Sequence, residues 1–366
     1  MVSSKLIKTF AGALVVGLLC RDALAWGSKE HILLTNLAAQ RVIADPTAPE
    51  ELKAFLKANC PDLGTPESLK DFFINGRVGV TKKDAKGMTL WCIEPDNRSG
   101  DKETKVPPFG VNEQMLHFVD MEYLHTDIDK QVYKHDLSSA VDITTVPRDM
   151  ADPRFKKAGM LPFAVEYSFK KLVTAIQADK LGFTPGENSE DNALVWSGRL
   201  AHYLEDNTQP LHNTEDYKAQ SYFADKRSAP NIHSEMEYRM NDDEKFRPIK
   251  LRTEYWDLLA ENLKTFKDPA DEKDLWKGTL EVSAASYKQI PLIGLAAMNA
   301  AGQAGTPDKP TGPAKKVPDT EKFFRFTSDV TGTKESVMQM KARQQAWAVV
   351  RVAEIWKRAW VEAKAK

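Results

Sequence analysis

Cysteine, charge imbalance and long apolar runs are all scarce in this 366-residue sequence. Of its three cysteines only Cys60 and Cys92 lie beyond residue 25. A disulfide-rich scaffold is therefore excluded, while one bridge between these two and a pair of buried thiols both remain open. Lys and Arg number 51 against 52 Asp and Glu, a formal charge of −1. That balance leaves no electrostatic footprint for a duplex-binding surface, so any nucleic-acid function has to come from a local site. No run after residue 25 reaches the roughly 18 apolar residues that a membrane-spanning helix needs. Strand-like alternation is scarce too, and no short internal repeat is evident.

What is present begins with a leader. Lys5 and Lys8 precede the apolar stretch Ala11–Leu19, and Ala23-Leu24-Ala25 forms a small-x-small cleavage site. Residues 1–25 read as a signal peptide, and the mature protein is expected in the periplasm or outside the cell with Trp26 as its first residue. Leu19 is bulky for lipoprotein processing at Cys20, which favours the cut after Ala25. Cleavage removes three of the basic residues and one acidic one, leaving 48 against 51 and a formal charge of −3.

Helical periodicity then dominates. It predicts helices from His31 to Ile43, from Glu50 to Ala58, and over 162–179, 190–207, 251–266 and 272–299. The stretch from Pro61 to Pro108 reads as loop with short helical pieces. His125 and His135 lie among charges in an excursion over 126–155, as solvated histidines would. Residues 301–320, rich in Gly, Pro and Lys, read as an exposed connector. The amphipathic 334–364 segment, with Trp347, Trp356 and Trp360, is expected to pack back on the core as one long helix. The fold class is all-α, with residues 26–366 forming a single large helical domain.

The chemistry concentrates around Gly198-Arg199-Leu200-Ala201-His202-Tyr203-Leu204-Glu205-Asp206-Asn207-Thr208-Gln209-Pro210-Leu211-His212. His202 and Asp206 are one helical turn apart on a common face, a metal-ligand spacing that a plain helix-surface pair also fits. Pro210 ends the helix and brings His212 back on a loop. His233 and Glu237 repeat the four-residue spacing. His31, His117 and Asp96 add further nitrogen and carboxylate donors without thiolate, a set suited to zinc. One ion takes about four ligands, so eight such side chains call for more than one. Trp26 extends the pattern, because a freed α-amino group with a pKa of about 7.7 can chelate together with its own carbonyl.

These residues carry a family likeness. Trp26-Gly27-Ser28-Lys29-Glu30-His31, Glu94-Pro95-Asp96, His117-Phe118-Val119-Asp120, His202 to His212, and His233-xxx-Glu237 resemble the zinc-dependent phospholipase C and fungal-type single-strand nuclease superfamily. The resemblance runs from Trp26 to about Tyr238 and implies a mostly helical fold holding three zinc ions. It assigns Asp96, His117, His202 and Asp206 to the first ion and His212, His233 and Glu237 to the second. Trp26, His31 and the bridging Asp206 take the third. Glu30 departs from the glycine usual before the first histidine, and Asp71 and Asp101 stand as rivals to Asp96.

The resemblance further implies phosphodiester hydrolysis by a zinc-activated hydroxide, with Asp96 and Arg98 as catalytic residues: Asp96 orients the nucleophile and Arg98 neutralises transition-state charge. A solvated Arg98 is the competing reading. Phe118 and Asp120 take the places of a base-binding pair, although composition alone equally allows Phe118 in the core. The wording Thr208-Gln209-Pro210-Leu211-His212 and the step from Trp26 to His31 favour a nuclease on single-stranded DNA or RNA, with 3′-nucleotidase action as an accompaniment. His233-Ser234 and Tyr203 lean toward a phospholipase C acting on phosphatidylcholine. A non-catalytic zinc-binding helical protein is the third reading. No stable protein partner is implied.

Overall fold

The helix that carries the central motif is held at both ends by its own sequence. Asn192 accepts a hydrogen bond from the Val195 amide at the N-terminus of one helix, Ala193–Asn207, and Pro210 stops the chain from continuing it. The computed structural model describes residues 26–60, 64–76, 87–131, 141–182, 192–241, 249–270 and 273–365. The expected signal peptide over 1–25, and His135, lie outside the described residues.

The protein is mostly helical. In chain order the helices are α1 (Ser28–Ala44), α2 (Glu50–Asn59), α3 (Pro66–Asn75), α4 (Gly87–Cys92), α5 (Glu94–Ser99), α6 (Phe155–Ala158), α7 (Leu161–Gln177) and α8 (Ala193–Asn207). They continue with α9 (Ile232–Glu237), α10 (Ile249–Thr265), α11 (Leu275–Tyr287), α12 (Ile290–Ala301), α13 (Thr320–Arg325) and α14 (Val337–Lys364). Strand is confined, among the described residues, to two small antiparallel pairs: β1 (Ala304–Thr306) with β2 (Lys309–Thr311), and β3 (Thr327–Ser328) with β4 (Glu335–Ser336).

Two helices form the middle. Every residue of α8 is buried, so it is covered on all sides by α1, α4, α7, α11 and α14. The capping box of Ser336 and Gln339 starts α14, which lies against α1, α7, α8 and α10. Trp356 on α14 is fully buried and donates its indole N–H to the Ser197 carbonyl of α8 at 3.2 Å. The long C-terminal helix thus packs on the core as its amphipathic pattern predicts. Among the described residues no helix is long and apolar enough to cross a membrane.

Four expectations need correction. The stretch over 272–299 is two helices, α11 and α12, because Pro291 in the first turn of α12 lacks an amide to continue the earlier ladder. Within 61–108, α3 is a full ten-residue helix, started by a reciprocal cap between Thr65 and Ser68. The exposed 301–320 connector holds a hairpin, whose ends are tied by the Gln303 amide to the Ala304 and Thr311 carbonyls. His125 is buried, since the turn Met121–Leu124 before it is packed into the core. Cys60 and Cys92 form no disulfide; both thiols are buried.

Candidate metal centre

Gly198 makes the site possible. A Cβ there would lie 2.6 Å from the Trp91 side chain and 2.8 Å from the Cys92 amide, so only glycine lets α8 approach α4 so closely. One turn later His202 Nδ1 lies 2.6 Å from the Cys92 carbonyl. A carbonyl can only accept, so Nδ1 carries the proton and Nε2 keeps its lone pair. That nitrogen lies 3.2 Å from Asp206 Oδ2, 3.8 Å from Asp96 Oδ1 and 3.0 Å from His117 Nδ1.

Asp206 faces three histidines. Its Oδ2 is 3.0 Å from His117 Nδ1, and its Oδ1 is 3.3 Å from His31 Nε2. The other ring nitrogen of His31 is held 2.6 Å from Glu205 Oε2, and Thr35 donates to the second oxygen of that carboxylate at 2.9 Å. Glu205 fixes the His31 ring and leaves Nε2 aimed at Asp206. Two donor groups result, His31 with His202 and Asp206, and Asp96 with His117 and His202.

A further group comes from residues close in sequence. His212, on the turn after α8, donates from Nδ1 to the His117 carbonyl at 2.8 Å. Its Nε2 is directed toward Glu237 Oε1, 3.7 Å away. His233 Nε2 lies 2.6 Å from that same oxygen, one turn along α9, and Gln209 donates to it at 3.1 Å. The backbone locks these pieces together: the Val119 amide donates to the His212 carbonyl at 3.0 Å and the Met121 amide to the Asn213 carbonyl at 3.1 Å.

The donors are buried beyond what their own hydrogen bonds satisfy. Both Asp96 oxygens, His212 Nε2 and Glu237 Oε2 are buried with no hydrogen-bond partner. His31 Nε2 and Asp206 Oδ1 face one another without forming one. Orphaned buried acceptors cost about 1 to 3 kcal/mol each, and a cation offsets that cost for several at once. These clusters can therefore hold metal ions. Burial works to raise the Asp206 carboxyl, but His202, His117 and His31 outweigh it and hold it well below the usual range. Burial lowers His31, yet Asp206 and Glu205 carry it well above an ordinary histidine. Burial pushes Glu205 up to about 7 and lifts Glu237 well above its usual value. Asp206 thus offers its charge directly, whereas at His31 and Glu237 a metal competes with a proton.

The remaining candidates divide clearly. Asp96 is in the cluster, whereas its rivals are exposed: Asp71 accepts from Asn75, and Asp101 from the Glu103 and Thr104 amides. Trp26 is fully buried, and its indole donates to the Glu205 carbonyl at 2.9 Å. Its place as a main-chain ligand depends on cleavage at a bond that reaches outside the described residues. Arg98 is half-buried and outside the donor groups: its guanidinium is paired with Glu113 and lies 3.3 Å from Glu94 Oε1. Phe118 and Asp120 line a cavity of about 200 Å³ beside His117, His212 and His233, joined by Glu215 and Tyr217. Half-buried, Phe118 belongs to this opening rather than to the core interior. Burial, with Glu122 and Glu215 nearby, pushes the Asp120 carboxyl well up.

Several supporting residues had only weak signals in the sequence. Glu205 and Gln209 sit inside the α8 motif, and that proximity was their one hint. Glu113 accepts from the Tyr203 hydroxyl and reaches within 4.0 Å of His117 Nε2. Glu30, the departure from the family pattern, is answered from the far end of the chain. The Lys341 ammonium on α14 meets Glu30 Oε1 at 2.6 Å, both fully buried, and also donates to the Met236 carbonyl. It lies 5.3 Å over the Trp26 ring. Compared with known proteins, the chain matches no family model and no curated protein.

Proposed function

We propose that this chain is a zinc-dependent phosphodiesterase acting on single-stranded DNA or RNA, with three zinc ions in the donor groups around Asp206 and Glu237. The observation that carries the reading is the convergence of buried, unsatisfied His, Asp and Glu donors from α1, α5, the His117 turn, α8, the His212 turn and α9. Three of them, His117, His212 and His233, line a cavity that also presents an aromatic face and a carboxyl group. Zinc held there lowers the pKa of a coordinated water to about 7 and polarises phosphoryl oxygens.

The chain's own residues do the positioning. Asp96, with both oxygens unsatisfied, is placed to orient an attacking water, and Asp206 keeps His31, His117 and His202 at fixed separations. Glu205 and the Cys92 carbonyl fix the rings of His31 and His202. Phe118 supplies a stacking surface for a base, worth about 1 to 3 kcal/mol in single-strand sites. Asp120, with its carboxyl pushed up by burial, can donate as well as accept a hydrogen bond at a base edge. Leader cleavage after Ala25 would place the protein in the periplasm or outside the cell and free Trp26 to join the ligands.

One observation favours a second reading. Phe118 and Tyr217 together with Asp120 and Glu215 also suit a quaternary ammonium headgroup, as a phospholipase C on phosphatidylcholine would need. Hydrolysis of single-stranded DNA, RNA and phosphatidylcholine by the protein starting at Trp26, with zinc and with chelator, decides between them. Zinc-dependent nucleotide release is the expected result; phosphocholine release alone would replace the nuclease reading.

A further inference from the structure

A second and larger cavity, about 580 Å³, lies on the other side of His117 from the Phe118 pocket. The turn Glu113–Leu116 is the wall between them: Glu113 and Leu116 line the larger cavity, and Gln114 and His117 the smaller. The volume falls within the range of small-ligand sites. Its lining combines aromatic surface with positive charge. Tyr167, half-buried, meets Phe109 edge to face at 5.3 Å and the buried Trp196 at 5.6 Å, so both neighbours fix the orientation of its ring. Lys171 stands 5.8 Å from both the Tyr167 and the Trp196 ring. Arg199, almost fully buried, stacks on Trp196 at 5.0 Å, and Arg98 and the exposed Lys105 add two more cations.

The acids at this cavity are already engaged. Glu113 is held by Arg98 and Tyr203, and the Asp101 carboxylate accepts from the Glu103 and Thr104 amides. Arg98 and Arg199 are in turn paired with Glu113 and Glu94, so the positive charge beside the aromatic rings comes from Lys105 and Lys171, a combination suited to a base joined to a phosphate. It also touches the metal centre, because Tyr203 lies 5.9 Å ring to ring from His117 and Glu113 reaches the same imidazole.

We infer that this cavity is a second nucleotide subsite, holding the neighbouring nucleotide of a strand whose other base lies on Phe118. The inference rests on the nuclease reading for the strand, but the cavity's binding chemistry is separate from hydrolysis. The base stacks on Tyr167, held upright by Trp196, and the phosphate meets Lys171 at the rim. The metal donors then lie between two anchored nucleotides, so the enzyme prefers an oligonucleotide to an isolated phosphate ester.

Calorimetric titration of the zinc-loaded protein with a hydrolysis-resistant phosphorothioate dithymidylate tests this. Tyr167→Ala and Lys171→Gln are each expected to weaken binding about tenfold, the order for loss of one stacked base or one phosphate contact. Lys171→Gln also flattens the salt dependence by about one unit of log–log slope. Tyr167→Phe, which keeps the ring, should bind like the parent, separating stacking from a folding defect. Undiminished binding by both variants, or no binding by the parent, overturns the inference. A parent that binds through Tyr167 and Lys171 but hydrolyses no nucleic acid overturns the proposed function and leaves the subsite standing. Hydrolysis of DNA with binding unaffected by both variants does the reverse.

Discussion

The two ligand neighbourhoods are built in opposite ways. The His31, Asp96, His117, His202 and Asp206 donors come from four places far apart in the chain and meet against α8, the most enclosed helix of the fold. The His212, His233 and Glu237 donors lie within one short stretch, and the two histidines face the cavity lined by Phe118. The first neighbourhood exists only when the fold is complete. The second is nearly local and borders the substrate opening. The difference predicts that damage to the first spreads through several ligands, whereas damage to the second stays confined.

The most severe break is Asp206→Asn, which keeps the side-chain shape and removes the charge shared by three histidines. It should empty more than one metal position and lower hydrolysis on the order of a thousandfold, as loss of several kcal/mol of metal-based stabilisation would. Glu237→Gln should empty only one position. Metal counts per chain beside hydrolysis rates check the contrast, and equal metal loss in both variants would remove it.

The next largest effect is expected where the neighbourhoods are joined. Lys341 meets Glu30, beside His31, and the Met236 carbonyl, beside Glu237. Glu30→Gln strands a buried ammonium and should cost about 3 to 5 kcal/mol in denaturant unfolding. Pairing it with Lys341→Met should recover most of that loss. An unchanged Glu30→Gln protein would mean that the pair is not buried in solution.

How much of this was legible follows from the same distinction. The α8 spacing and the His233–Glu237 repeat could be read directly, because both lie within one helical turn. The resemblance favours Asp96 over Asp71 and Asp101, but only packing shows that α5 turns Asp96 inward while the other two remain exposed. The pairing of Glu30 with Lys341 spans almost the whole chain, and no local pattern announces it. The second cavity was invisible for the same reason: Phe109, Tyr167 and Trp196 are separated in sequence and meet only through packing. Pro291 lies within an apolar periodicity that runs on through it, so the break between α11 and α12 does not show in the pattern of 272–299.

A milder contrast lies beneath the Phe118 opening. Burial pushes the Glu122 carboxyl from an ordinary 4.5 up to about 7, against the hydrogen bond from Thr214. The folded state therefore keeps a proton that the unfolded chain releases. This contribution is complete below about pH 4.5 and is lost as pH rises through 7, at about 1.4 kcal/mol per pH unit between them. Glu122→Gln should flatten that part of the stability–pH curve, measured by urea unfolding at intervals of pH. An unchanged slope would show that Glu122 is ionised in the fold.

The smallest effect is expected one step behind the ligands. Glu205→Gln leaves every donor in place but weakens the hold on His31, and metal affinity should fall about 10- to 100-fold. Competition with a zinc chelator measures it. No change would place Glu205 outside the support of the site.

The central claim is that these buried donors are a metal centre, and diffraction at the zinc absorption edge from crystals of the protein starting at Trp26 tests it most directly. The account predicts three anomalous peaks, two beside the Asp206 carboxylate and one among His212, His233 and Glu237, all removed by chelator. Zinc-loaded crystals with no anomalous peak at either neighbourhood would contradict it.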